Sequence, residues 1–284
     1  MMQLPWALLL AATSEGVSGA PVVDAPVPAV DAGNYSRPLI MLIVDDAKCM
    51  DGTQGGYYVH PSATGSSKWV LTLQGGGECV TKEKCPGKAA SHLGSSKHFD
   101  SSFSFFRDSD THFIDANCKG NPTLCEYNLV YLPYCSQDLW SGRRTSASPE
   151  TYGYYFSGHL IFQAVLESLE ATHDLRGASE IILTGTSAGG FGVYTNLDYV
   201  AQRYPSAKVV GAPIAGFEFY AWPYHGPGHT SSTLADFREV AMASGKYNQL
   251  WCVGCVLVRQ HVAERFDTFC SYIGNPQSLD LVHV

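Results

Sequence analysis

The 284-residue sequence predicts an α/β protein in which a mostly parallel sheet is flanked by helices. Three observations carry this. Short β-prone apolar runs recur along the chain, and several lack polar alternation, as strands covered on both faces do. Two longer stretches place apolar residues at helical spacing between the later runs. Glycine-rich turns directly follow two of the strands.

Residues 1–20 read as a secretory signal peptide. The apolar run Trp6-Ala7-Leu8-Leu9-Leu10-Ala11-Ala12 is too short to span a bilayer. Small residues follow at Ser18-Gly19-Ala20, although no Lys or Arg precedes the run. Residues 21–35, rich in Pro, Ala and Val without a period, read as a flexible lead-in, and the domain as residues 36–284. The clearest strands are 39–44, 69–73, 129–132, 181–183 and 209–214. A helix fits 157–173, where Leu160, Ile161, Ala164, Val165 and Leu169 form an apolar face. Another starts just after Ser187 and runs towards Arg203, with Pro205 blocking extension. Strand–helix–strand–helix–strand order implies right-handed crossovers. The Gly- and Ser-rich stretch 87–104 reads as loop.

Composition narrows the function. The chain is 45% hydrophobic and only 15% charged, so it can bury a large core. A net charge of -8 with no Lys or Arg run argues against nucleic acid as a partner. No stretch after the leader approaches ~18 consecutive apolar residues, so no membrane anchor is expected. Six of the nine cysteines, Cys49, Cys79, Cys85, Cys118, Cys125 and Cys135, cluster and predict a disulfide framework in an oxidising, extracellular compartment. Six cysteines admit about 15 pairings. Short loops favour Cys79 with Cys85 and Cys118 with Cys125, leaving Cys49 for Cys135. Cys252-Val253-Gly254-Cys255 lacks the second pair of a zinc ribbon, so neither a metal nor a cofactor is expected.

The chemistry concentrates in two turns. Gly185-Thr186-Ser187-Ala188-Gly189 has the G-x-S-x-G pattern between a buried-type strand and a helix, the setting of a nucleophile elbow. It makes Ser187 the candidate nucleophile. The helix amino terminus behind it offers free N–H groups to developing negative charge. The competing reading is a plain glycine-rich βα turn. Gly75-Gly76-Gly77, directly after the strand at 69–73, matches loops that supply oxyanion N–H donors in esterases. No G-K-[ST] follows, which disfavours a phosphate-binding loop.

Four blocks together resemble the pectin acetylesterase/Notum family of secreted carboxylesterases. They are Cys49-Met50-Asp51-Gly52 with Gly56-Tyr57-Tyr58; residues 73–79; residues 133–142; and residues 185–192 with Leu197-Asp198. The resemblance covers roughly residues 40–215. It implies an α/β-hydrolase fold and a Ser–His–Asp triad that removes an acyl group from an acylated carbohydrate or protein. It also places Ser187 as nucleophile and Gly76, Gly77 and Ala188 at the oxyanion hole. Trp140 reads equally as family site residue or core. The protein is expected to be a monomer.

One departure stands out. The fold orders its triad Ser, then Asp or Glu, then His, and only 97 residues follow Ser187 (284 − 187). Residues 217–270 look like helices and loops covering the site. Neither Asp236 with His261 nor Asp280 with His283 fits the family pattern, and His225 and His229 sit in a polar loop. The expectation is therefore an α/β-hydrolase domain lacking its last strands, its Asp and its His. Without a base, the Ser187 hydroxyl is a weak nucleophile. Two functions stay open: a serine esterase, or a catalytically silent truncated product that binds or has no independent role. A purely structural disulfide-rich domain is the third reading.

Overall fold

The structure, a computed structural model, describes residues 35–79, 81–106 and 112–216. The leader, the lead-in to residue 34 and the expected cover at 217–270 lie outside the described residues. So do Asp236, Asp280, Cys252, Cys255 and the four later histidines.

The strands in chain order are β1 (Ser36–Pro38), β2 (Ile40–Met41), β3 (Gly56–His60), β4 (Lys68–Leu73), β5 (Ser102–Ser104), β6 (Asn128–Leu132), β7 (Glu180–Thr186) and β8 (Lys208–Ile214). The helices are α1 (Cys85–Ala89), α2 (Gly158–Thr172) and α3 (Ala188–Arg203). β1 and β5 form an antiparallel ribbon. The other six strands form one mixed sheet in the order β2-β3-β6-β4-β7-β8. β6, β4, β7 and β8 run parallel, and β3 joins β6 antiparallel. This mostly parallel sheet is an α/β-hydrolase-like architecture.

Register positions everything that matters for function. Leu73 of β4 lies opposite both Leu132 of β6 and Gly185 of β7. Three strands therefore end level, and the segments leaving them (74–79, 133–142 and 187 onward) emerge together at the sheet's carboxyl edge. Open α/β sheets place their ligands at that edge.

Trp69, Leu71 and Leu73 from one face of β4 share a core with Ile161, Phe162, Val165 and Leu169 of α2 and Val193 and Val200 of α3. Burying each such side chain contributes roughly 1.5–3 kcal/mol. On the opposite face Val70, Leu129 and Tyr58 meet Phe105 and Ile114. Disulfides join Cys49 to Cys135, Cys79 to Cys85 and Cys118 to Cys125. Among the described residues no helix is long and apolar enough to cross a membrane.

The elements depart from expectation in four places. The run 39–44 contributes only two residues of strand: Leu42 N–H still bonds to Gly55 O in the same register, but the chain then turns at Val44–Ala47. The stretch 87–104 is not all loop: it holds the end of α1 and the whole of β5. β7 runs past Gly185 to Thr186, since its pairing with β8 continues to Ile214. β3 was not foreseen at all. Its five residues are all buried and show no alternation, and it opens on glycine.

Candidate active site

β7 delivers the chain to Ser187, and α3 begins on the next residue. Ser187 has φ +57° and ψ −119°, a sparsely populated conformation for a residue with a side chain. Its N–H donates to Ile214 O at 2.9 Å, and its carbonyl accepts from Phe191 N–H at 3.1 Å. Both ends of the strained residue are thus tied into regular structure. Its side chain stays exposed, and its hydroxyl has no hydrogen-bond partner among the described residues.

Two glycines show how tightly the turn is built. A Cβ on Gly189 would run into the carbonyl oxygen of Leu73, so α3 sits on the end of β4 only because that atom is missing. A Cβ on Gly75 would overlap Thr186 O and approach Ser187 Cβ to 3.1 Å. The glycine loop after β4 therefore lies directly against the serine turn.

Past that contact, Gly76 and Gly77 have φ +152° and +74°. The N–H groups of Gly76, Gly77 and Ala188 donate to no protein acceptor among the described residues. The loop is anchored from the other side. Gly76 O accepts from Lys88 Nζ at 2.9 Å and from Gln137 Nε2 at 3.4 Å. Cys79 N–H donates to Gln137 O at 3.0 Å, and Cys79 is disulfide-bonded to the first residue of α1.

The segment 133–142 buttresses this loop. Gln137, Leu139 and Trp140 all carry positive φ, between +55° and +62°. Three strained residues in four persist only where their surroundings over-determine them. Asp138 is the hub. Its fully buried carboxylate accepts from Ser136 Oγ at 2.7 Å, Trp140 N–H at 3.1 Å and Gly158 N–H at 2.7 Å. Burial pushes its pKa up, against those hydrogen bonds, which pull it down. Its position at the amino terminus of α2 also favours the charged form.

Trp140 is fully buried, so it belongs to the core. Its ring also serves the site, because Nε1 donates to Gln74 O at 3.0 Å. Its own carbonyl accepts from Asn196 Nδ2 at 2.9 Å, and Asn196 Oδ1 lies 2.7 Å from His159 Nδ1. Burial holds the His159 pKa down at about 4, with Arg143 adding to the effect. His159 is therefore a neutral donor that orients Asn196.

Sequence reasoning missed Asp138, His159, Asn196 and Lys88. The one signal for the first was its setting in Ser136-Gln137-Asp138, a polar triplet in an otherwise apolar block. Among the described residues no group of three or more His, Cys, Asp or Glu could hold a metal ion.

A level strand edge carrying a strained serine between strand and helix, with an anchored glycine loop pressed against it, defines an α/β-hydrolase-like protein. The chain belongs to the pectinacetylesterase family, whose model matches residues 34–262. It is 36% identical over 191 residues to the palmitoleoyl-protein carboxylesterase NOTUM of Homo sapiens, covering 65% of this chain and 37% of that one. The palmitoleoyl-protein carboxylesterase NOTUM of Schmidtea mediterranea is 32% identical over 212 residues, 72% of this chain and 38% of its own. Pectin acetylesterase 4 of Arabidopsis thaliana is 33% identical over 165 residues, 58% of this chain and 39% of its own. In each case the match spans less than two fifths of the relative's length.

Proposed function

We propose that the protein is a secreted serine carboxylesterase that removes an acyl group, acetyl or longer, from a polysaccharide or protein ester. Ser187 is the nucleophile, and the amides of Gly76, Gly77 and Ala188 bind the oxyanion. The observation that carries this reading is the contact of the Gly75 loop with the strained Ser187 turn. Family membership supports ester hydrolysis, and the relatives' names span both protein-palmitoleoyl and pectin-acetyl esters.

In the reaction, Ser187 Oγ forms a bond to the ester carbonyl carbon while its proton passes to a general base. The carbonyl oxygen becomes an oxyanion facing the three amides, each worth about 2.7–4 kcal/mol to the transition state. The tetrahedral intermediate expels the alcohol, which takes the proton from the base. Water then hydrolyses the acyl-serine and restores the hydroxyl. His159 is not the base, because it is buried and committed to Asn196. His225, His229, His261 and His283 are the side chains to examine for that role. The three disulfides suit an oxidising compartment, in line with the signal peptide read at residues 1–20. We take the protein to act as a monomer without cofactor.

Turnover of p-nitrophenyl acetate and longer-chain esters by the purified chain tests the proposal. Ser187→Ala should abolish the turnover that wild type shows. A wild-type rate of about 1–10³ s⁻¹ would mean that the chain supplies a working general base, against the expectation that its Asp and His are missing. Unchanged turnover in Ser187→Ala overturns the nucleophile assignment. Binding of acyl ester without turnover by wild type would favour a silent binding protein.

A further inference from the structure

We propose that Lys88 is a positioning residue of the oxyanion hole, acting through the peptide bond between Gly76 and Gly77. The inference rests on the reading of Ser187 as nucleophile and goes beyond it, to how one oxyanion donor is aimed and strengthened.

The carbonyl of Gly76 and the N–H of Gly77 are opposite ends of one planar trans peptide unit. Fixing the direction of the first fixes the direction of the second. Lys88 Nζ donates to Gly76 O at 2.9 Å, and Gln137 Nε2 reaches the same oxygen at 3.4 Å. A hydrogen bond from an ammonium group is about twice as strong as a neutral one, so Lys88 supplies the main restraint. It also withdraws electron density along the peptide, which makes the Gly77 N–H a better donor. Such polarisation strengthens a linked hydrogen bond by about 10–30%.

Local construction agrees with this role. Lys88 sits on α1, a five-residue helix that opens with Pro86 and Gly87 just after Cys85 and has little stability of its own. Its attachment is the Cys79–Cys85 disulfide, which begins two residues after Gly77. α1 therefore holds one charged side chain against the glycine loop. A Cβ on Gly76 would be 2.5 Å from Leu93 and 3.1 Å from Tyr134, so the peptide cannot easily swing away. One face of the loop meets Ser187 through Gly75, while the Gly76 carbonyl is claimed by Lys88.

The test uses the full chain with its disulfides intact. A fluorophosphonate reacts as Ser187 Oγ bonds to phosphorus, its proton passing to a base while fluoride leaves, and the polar phosphonyl oxygen then lies where the oxyanion would form. Labelling at Ser187, followed by intact mass, gives the limiting rate and the apparent binding constant of the probe separately. Lys88→Met should slow the limiting rate on the order of tenfold, below the 10²–10³-fold of losing a whole donor. The binding constant and unfolding midpoint should stay close to wild type, and Lys88→Arg should recover most of the rate. Equal rates in wild type and Lys88→Met would overturn the proposal while leaving Ser187 as nucleophile. Failure of wild type to label at Ser187 would overturn both. A Lys88→Met rate that falls only in step with its unfolding midpoint, without rescue by Lys88→Arg, would assign Lys88 to stability alone and also overturn the proposal.

Discussion

Replacing His159 with Gln should flatten the acid side of the stability profile. Asn196 Nδ2 is spent on the carbonyls of Trp140 and Gly192, at 2.9 and 2.8 Å, so Asn196 Oδ1 must accept from His159 Nδ1. That fixes the neutral tautomer with its proton on Nδ1. The ring is only 4% exposed and packs edge-on against Tyr199, 4.9 Å between centroids. A positive charge is unwelcome there, and the folded-state pKa falls to about 4 from an ordinary 6.5. Between those two values the unfolded chain binds more protons than the folded one, so stability falls as pH falls. The penalty is absent above about pH 6.5 and complete below about pH 4. At 1.36 kcal/mol per pH unit it amounts to roughly 3 kcal/mol. His60 and His173, also held down by burial, act in the same sense, while Asp138 acts in the opposite one. The comparison with the variant separates His159 from all of them. Urea unfolding of wild type and His159→Gln from pH 7.5 to 4.5 should show the variant weaker at pH 7.5. The gap should then close by roughly 2–3 kcal/mol towards pH 4.5. Parallel profiles for the two proteins would mean that His159 does not set the acid side of the curve.

Two further perturbations follow from the same contacts. Asp138→Ala leaves a buried hydroxyl and three backbone N–H groups (Trp140, Gly142 and Gly158) without their acceptor. It should cost about 3–5 kcal/mol in chemical denaturation, and a loss under 1 kcal/mol would remove Asp138 as the hub of the loop. Replacing Cys49 and Cys135 by Ser opens a closure spanning 86 residues. The chain-entropy model assigns it about 4–5 kcal/mol, against about 2–3 for the seven-residue Cys118–Cys125 closure. Thermal unfolding should rank the two double variants in that order, and the reverse order would count against the model here.

What could be read from the sequence divides by range. The four parallel strands and both long helices were legible because each carries its own period or apolar run. The serine turn was legible for a related reason: G-x-S-x-G states locally what backbone it needs, and Gly189 against Leu73 O is that need in atoms. β3 was hidden because burial on all sides removes alternation. α1 was hidden because five residues are too few to show helical spacing. The residues that hold the site rigid were illegible for a deeper reason. Asp138 meets Gly158 across 20 residues, His159 meets Asn196 across 37, and Trp140 meets Gln74 across 66. Such pairings exist only once the sheet has brought its carboxyl edge together. Trp140, read equally as core or site, turns out to be core that braces the site through Nε1.

On the proposed function, Ser187, Gly76, Gly77 and Ala188 form one reaction centre. A crystal structure of the protein after reaction with a fluorophosphonate decides whether they do. Phosphorus should be bonded to Ser187 Oγ, with one phosphonyl oxygen about 2.7–3.1 Å from the amide nitrogens of Gly76, Gly77 and Ala188. An adduct on another side chain, or a phosphonyl oxygen beyond reach of all three amides, would contradict that reading.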